Sequence, residues 1–233
     1  MTSKPTSPED PLPGESSPKE SASKETSGKA ASAKGNITRN NIMDIAERRI
    51  LQKGFSATSI EEIISEAGIS KGGFFYHFDG KDDLAYALMQ RYREQDAFLF
   101  SGLFRRAEEL LDDPLQQMLL FIKLLAEMMD ELEDLHPGCL VASFTYESNE
   151  VNEQVKLITA DSVMDWRALF SQQLEKVHQH YTPKLDVEIS DLADMLSTVI
   201  EGGIVVSRAL CDKKLLVRQL LEYRNYIRLL YEA

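Results

Sequence analysis

Residues 58–78 read TSIEEIISEAGISKGGFFYHF, and the fold turns on how they are parsed. Thr58 stands three residues before Glu61, the spacing of a capping box that starts a helix. Ile60, Ile63, Ile64 and Ala67 then recur at helical spacing, so one face is buried. Gly68 ends that helix, and Ser70 can cap a second, very short one that reaches about His77. So short a helix is not stable alone. It also holds Gly72 and Gly73, each costing about 1 kcal/mol against Ala in a helix interior. Phe74, Phe75 and Phe78 can anchor it on the isoleucines. The glycine pair leaves the opposite face bare, so that a large flat partner can come close. That is the geometry of a helix-turn-helix whose second helix enters a major groove. A plain helical hairpin inside a bundle fits the same pattern, because Gly-containing turns between helices are common.

Upstream, Ile42, Ile45, Ala46 and Ile50 share one helical face, and Lys53-Gly54-Phe55 reads as a helix stop. Residues 1–35 are rich in Ser, Lys, Pro, Glu and Gly and nearly lack large apolar side chains. Such a segment cannot bury enough surface to offset its ordering entropy, so a disordered tail is expected there. Downstream the pattern is helical to the end. The expected helices run from about Lys81 to Leu111, from Pro114 to Met129, and around Cys139–Glu147, Val151–His180, Val187–Cys211 and Lys213–Tyr231. The second of these is apolar nearly all round and should be central. The expected organisation is therefore all-α: a tail (1–35), a helix-turn-helix domain (36–82) and a larger helical domain (83–233).

The net charge of −12 argues against a protein that coats nucleic acid non-specifically. It is unevenly placed, however. Residues 1–35 and 36–93 each carry equal numbers of basic and acidic side chains, so the whole excess lies after residue 93. A neutral N-terminal unit on an acidic body can bind DNA only if that unit faces the duplex. The polar N-terminus is no signal peptide, no apolar run is long enough to span a bilayer, and two cysteines make no disulfide framework. A cytoplasmic protein with no membrane partner is expected.

The residues that carry a family likeness are Thr38-Arg39, Ala46, Gly54-Phe55, Thr58-Ser59-Ile60, Ile63, Ala67-Gly68-Ile69-Ser70-Lys71-Gly72, Phe74, His77-Phe78, Lys81 and Leu84. In this order and spacing they resemble the DNA-binding domain of the TetR family of transcriptional regulators. The resemblance implies an all-helical homodimer whose last two long helices form a four-helix interface with the partner. It also implies a variable C-terminal domain and a repressor that a small ligand releases from a palindromic operator in double-stranded DNA. Carried over by position, Thr58 and Ser59 would cap the second helix and touch phosphate. Ser70, Lys71, Gly72 and Gly73 would sit at the base-reading end, and Tyr76, His77 and Lys81 would contact the backbone. Two positions depart from the family pattern. Phe75 stands where Tyr is usual, so either Tyr76 supplies that hydroxyl or the contact is absent, and Gly73 stands where Thr, Ser or Ala is common.

Beyond the motif, the central region is rich in Met and aromatic side chains, which can line an adaptable ligand cavity or be plain core. With the resemblance, Phe121, Met128, Cys139, Phe144, Trp166 and Phe170 become the candidate wall of an effector pocket for a mostly apolar molecule. Cys139 at a helix start has the setting of a reactive thiol, but a buried small hydrophobe is the commoner state. Glu201-Gly202-Gly203 interrupts a strong helical pattern, and the two glycines are costly unless another backbone approaches; a dimer contact is the expected reason. Neither His136 with Cys139 nor His178 with His180 has metal-ligand spacing with further ligands in range, so no metal and no cofactor are expected. The rival class is an enzyme or a ligand-binding helical protein that never meets DNA. No P-loop, no GxGxxG after a strand, no HExxH and no nucleophile–base pair supports it.

Overall fold

The computed structural model describes Met1 and residues 21–231, with side chains at Met1 and from Gly35 onward. Among the described residues every regular element is an α-helix. The first, α1 (Ser21–Lys53), begins well before Asn36, where the ordered chain was expected to start. The earlier part of the expected tail, residues 2–20, lies outside the described residues. By its contacts the chain divides into two units, residues 1–40 and 41–233, and the second holds the core.

In that second unit α1 buries Ile42, Met43, Ile45, Ala46 and Ile50. It stops at Lys53, and Gly54 takes a positive φ of 91°. The next helix, α2 (Ile60–Ala67), buries Ile63, and Ile60, Ile64 and Ala67 pack beside it. Its cap lies one residue later than the sequence suggested. Ser59 accepts from the Glu62 amide, and the Glu62 carboxylate accepts from the Ser59 amide at 3.0 Å. Thr58 is excluded from this role because its hydroxyl donates to the Gly54 carbonyl at 2.8 Å, closing the end of α1. Gly68 is left-handed and turns the chain into α3 (Lys71–Phe75). Phe74 and Phe78 anchor α3 in the core as expected, but Phe75 does not: it stands half out in solvent, edge-on to Phe74.

The body consists of α4 (Lys81–Leu110), α5 (Pro114–Glu131), α6 (Leu140–Tyr146), α7 (Glu153–His180), α8 (Ile189–Leu210) and α9 (Leu215–Tyr231). Asp113 caps α5 and Pro114 opens it, both as the sequence indicates. As the apolar run implied, α5 is central: it packs on α4, α7 and α9. Phe104 stacks on Phe121 with centroids 3.7 Å apart, and Phe100 and Phe170 close the cluster.

The paired glycines of α8 turn out to serve different ends. A Cβ on Gly203 would meet Leu216 Cδ1 at 2.6 Å and the Leu216 backbone at 3.3 Å. Gly203 therefore exists to let α9 start against α8, and Ser207 one turn later accepts from the Leu216 amide at 3.1 Å. Its expected part in a dimer contact is corrected to this contact within the chain. Gly202 faces outward with nothing within reach of an added Cβ. Substituting Gly203 by Val should lower the melting temperature sharply, since backbone as well as side chain must move. Gly202→Ala should be neutral or stabilise by about 0.5–1 kcal/mol, the helix propensity of Ala over Gly. Thermal unfolding at one fixed protein concentration checks both, and equal melting temperatures for the two variants would refute the assignment.

Candidate nucleic-acid interface and effector cavity

The exposed edge of α3 is built by exclusion. With Phe74 and Phe78 turned into the core, Lys71, Gly72 and Tyr76 face solvent, Tyr76 with 81% of its surface exposed. Ser70 caps α3, its hydroxyl accepting from the Gly73 amide at 3.1 Å. A Cβ added to Gly72 or Gly73 would find only ordinary van der Waals contact, so the glycines are not demanded by the fold. His77 is half-buried and packs edge-on against Tyr76. Neighbouring cations are engaged elsewhere: Arg48 and Arg49 pair with Glu66, and Lys53 with Glu62. The Lys53 hydrogen bond and the Ser59 amide pull the Glu62 pKa down to about 2.

Two of the residues expected to contact DNA are placed otherwise. Thr58 is 1% exposed and its hydroxyl is committed to Gly54, so its side chain cannot reach a phosphate. Lys81 lies over the Phe55 ring at 4.2 Å and points its ammonium at the Ser56 carbonyl. Burial lowers its pKa against the opposing pull of Glu147. It braces the junction rather than standing clear on the reading face.

That junction is governed by a residue the sequence did not single out. Glu147, at the end of α6, accepts from the Phe55 amide at 2.6 Å and the Ser56 amide at 2.7 Å. Burial alone would raise its pKa, but these bonds, the Ser56 hydroxyl and the Lys81 charge outweigh burial and keep it below the usual carboxylate value. Phe144 is buried edge-on to Phe55, with centroids 5.4 Å apart. On the far side Arg208 of α8 donates to the Pro137 carbonyl and, at 3.4 Å, to that of Leu51. Arg91 of α4 holds Asp44 and Glu47 of α1.

Inside the body a cavity of about 70 Å³ lies between α4, α5, α7 and α8. Of the candidate wall residues, Trp166 and Phe170 line it. Phe121, Met128, Cys139 and Phe144 do not. Phe121 is taken up by its stack on Phe104, and Phe144 by the junction. Cys139 sits one layer behind the wall, where the Tyr92 hydroxyl donates to its sulfur at 3.4 Å. Burial pushes its thiol pKa far up, so it is held as thiol and lacks the thiolate a sensor needs. What the sequence missed is the polar part of the wall: Tyr92, Asp96, His136, Ser197 and Glu201. Asp96 and Glu201 resemble the many acidic residues of solvated helix faces, and no local pattern distinguishes them.

Residues 42–88 match the sequence profile described as "Bacterial regulatory proteins, tetR family", and residues 114–219 match "Transcriptional regulator LmrA/YxaF-like, C-terminal domain". The chain belongs to the TetR family. It is a DNA-binding transcriptional regulator and not an enzyme. Among its relatives, the uncharacterized HTH-type transcriptional regulator YxaF of Bacillus subtilis is 26% identical over 76% of this chain and 87% of its own length. The HTH-type transcriptional repressor DhaR of a Mycobacterium species is 22% identical over 72% of this chain and 80% of its own. A crystal structure of a TetR-family regulator from Agrobacterium tumefaciens shares the fold. Its TM-score is 0.70 at 21% identity, covering 82% of this chain and 98% of that one. Among the described residues no helix is long and apolar enough to cross a membrane.

In this TetR-family protein the cavity carboxyls make a pH-dependent liability. Burial, with the nearby Glu201 adding to it and the Trp166 N–H opposing, pushes Asp96 from an ordinary 3.8 up to about 7. The groups facing Asp96 are Tyr92 on its own helix, Trp166 on α7, Glu201 on α8 and His136 in the loop before α6. The folded chain keeps the Asp96 proton to higher pH than the unfolded chain does. Its contribution to stability is therefore full below about 4 and is lost as pH rises through about 7. Asp96→Asn should be more stable than wild type at pH 8 by roughly 1–3 kcal/mol, with the gap closing toward pH 5. Urea unfolding across this range checks it. A gap that does not change with pH would contradict the burial of an ionisable Asp96.

Proposed function

We propose that this regulator is a repressor that binds a palindromic operator as a homodimer and leaves it when a small molecule enters the cavity between α4, α5, α7 and α8. The observation that carries the DNA reading is the presentation of Lys71, Gly72, Gly73 and Tyr76 on the outer edge of α3, backed by the buried Phe74 and Phe78. Lys71 and Tyr76 contact phosphates, His77 supports Tyr76, and the bare glycine surface lets the backbone approach base edges. Ser59 and Ser70 act as caps at the two helix starts on this face. The occurrence of a named repressor among the relatives supports the sign of regulation.

The dimer is proposed on the outer faces of α8 and α9. Val205, Val206, Leu210, Leu221 and Leu229 are exposed there, around the outward-facing Gly202. A two-fold dimer sets the two α3 helices about 34 Å apart, the spacing of successive major grooves on one side of the duplex. Control runs through α4, which begins at the Lys81 brace beside α3 and carries Tyr92, Asp96 and Phe100 into the cavity wall. A ligand that favours a different seating of α4 shifts the population away from the DNA-competent state. Linkage requires operator DNA to weaken ligand binding by the same factor, about 1–3 kcal/mol.

The test uses a site selected by the wild-type protein from random-sequence duplexes. Lys71→Ala should weaken binding to every such site about 3- to 10-fold and reduce the salt slope by about one. Gly73→Gln should still fold yet change which bases are selected. Fluorescence anisotropy over a salt series reads the first and reselection reads the second. If Lys71→Ala keeps wild-type affinity and slope, the reading face is not the exposed edge of α3.

A further inference from the structure

The cavity has a lopsided chemistry. Much of its wall is hydrocarbon or aromatic, with Phe100, Leu125, Phe170 and Ile204 among the contributors. Against these stand two carboxyl groups on facing helices, Asp96 of α4 and Glu201 of α8. Hydrogen-bond donors are few. Asp96 accepts from the Trp166 indole N–H at 3.1 Å. Glu201 has the Cys139 thiol beside it, while its Oε2 is fully buried and without a partner. The Tyr92 proton is directed to the Cys139 sulfur. No Lys or Arg lines the cavity. His136 is the base there, and burial and then Arg208 disfavour its charged form.

A buried carboxylate oxygen with no partner is costly, and two carboxyls facing one space compound the cost. The space therefore favours a positive charge carrying N–H donors. We propose that the effector is a small apolar amine in its protonated form, with its ammonium between Asp96 and Glu201 and its hydrocarbon against Phe100, Trp166 and Phe170. An ammonium brings three donors, enough for both carboxylates, and the aromatic faces attract it further. A carboxylic acid of the same shape meets like charge. An alcohol supplies one donor and no charge. The volume, about 70 Å³ against the roughly 150 Å³ of a dry cavity that takes benzene, restricts the ligand to a short aliphatic chain. Trp166, Ser197 and Glu201 also border an open groove with Val163, Val205 and Val206 on its walls, so these three residues separate the cavity from the face proposed for the dimer.

Burial raises the proton affinity of both carboxyls. Seating the ammonium returns them to the charged state, so binding releases protons near neutral pH and tightens as pH rises.

This assignment rests on the reading of the cavity as the effector site. The test uses the full-length protein with propylamine, butylamine, propanol and propionate at pH 6 and pH 8. Calorimetry and the fluorescence of Trp166, the single tryptophan, report binding. Propylamine should bind with a dissociation constant below about 1 mM, about tenfold or more tighter than propanol, and tighter at pH 8 than at pH 6 with measurable proton release. Propionate should not bind. Glu201→Gln and Asp96→Asn should each lose about tenfold for the amine and none for the alcohol. The proposal is overturned if neither amine binds, if propanol or propionate binds as tightly, or if both variants bind amine like wild type. Operator affinity is measured in parallel. Release of operator by a neutral ligand in that cavity keeps the effector reading and overturns the amine. Amine binding that obeys every expectation yet leaves operator affinity unchanged upholds the cation site and defeats the effector reading.

Discussion

One carboxylate fixes the reading head on the body. Glu147 takes two consecutive backbone amides, those of Phe55 and Ser56, at the turn that leads from α1 to α2. Those amides come just after the helix stop, where the chain has no regular partner to offer. A charged acceptor for two backbone donors is among the stronger neutral-pH contacts a protein makes. It also leaves no room for a side chain at position 54, where a Cβ would run into the Glu147 carboxylate and φ is already positive. Gly54, Glu147, Phe55 on Phe144 and Lys81 on Phe55 form one joint. The orientation of α3 depends on it, because α3 hangs on α2 and on Phe74 and Phe78.

The same body that sets the head also carries the cavity, and the two share α4 and α8. α4 passes from the Lys81 brace, past Arg91 on Asp44 and Glu47, to Asp96 at the cavity. α8 passes from Glu201 at the cavity to Arg208, which bonds the ends of α1 and of the loop before α6. The control proposed above would pass along these two helices and their charged contacts with α1. Packed interfaces respond to small shifts by changing state rather than by bending.

The sequence made the head readable because its signals are local. The isoleucine spacing, the glycine stops and the Ser70 cap all act within one or two turns, and the structure repeats them. Even there the cap moved from Thr58 to Ser59, since two adjacent hydroxyls compete and only the fold shows that Thr58 closes α1. The central helix and the break at Asp113-Pro114 were equally plain. Long-range pairing was not. Glu147 meets residues more than ninety positions away, and nothing in its neighbourhood marks it. Gly203 announced a close approach, but whether to α9 or to another subunit is decided by Leu216 alone. The aromatic and Met stripe suggested a cavity and gave two of its walls; the stack of Phe104 on Phe121 took the rest into core. Asp96 and Glu201 looked like surface acids because burial leaves no trace in their spacing.

The central claim is that operator recognition depends on the Glu147 joint holding an otherwise self-sufficient head. Hydrogen exchange at the Phe55 and Ser56 amides, measured together with affinity for the selected operator in Glu147→Gln, tests it most directly. The account predicts faster exchange confined to residues near 54–58, slow exchange retained in α2, and operator affinity reduced about tenfold or more. Accelerated exchange at both amides with wild-type operator affinity would contradict it, since the head would then read DNA without being held.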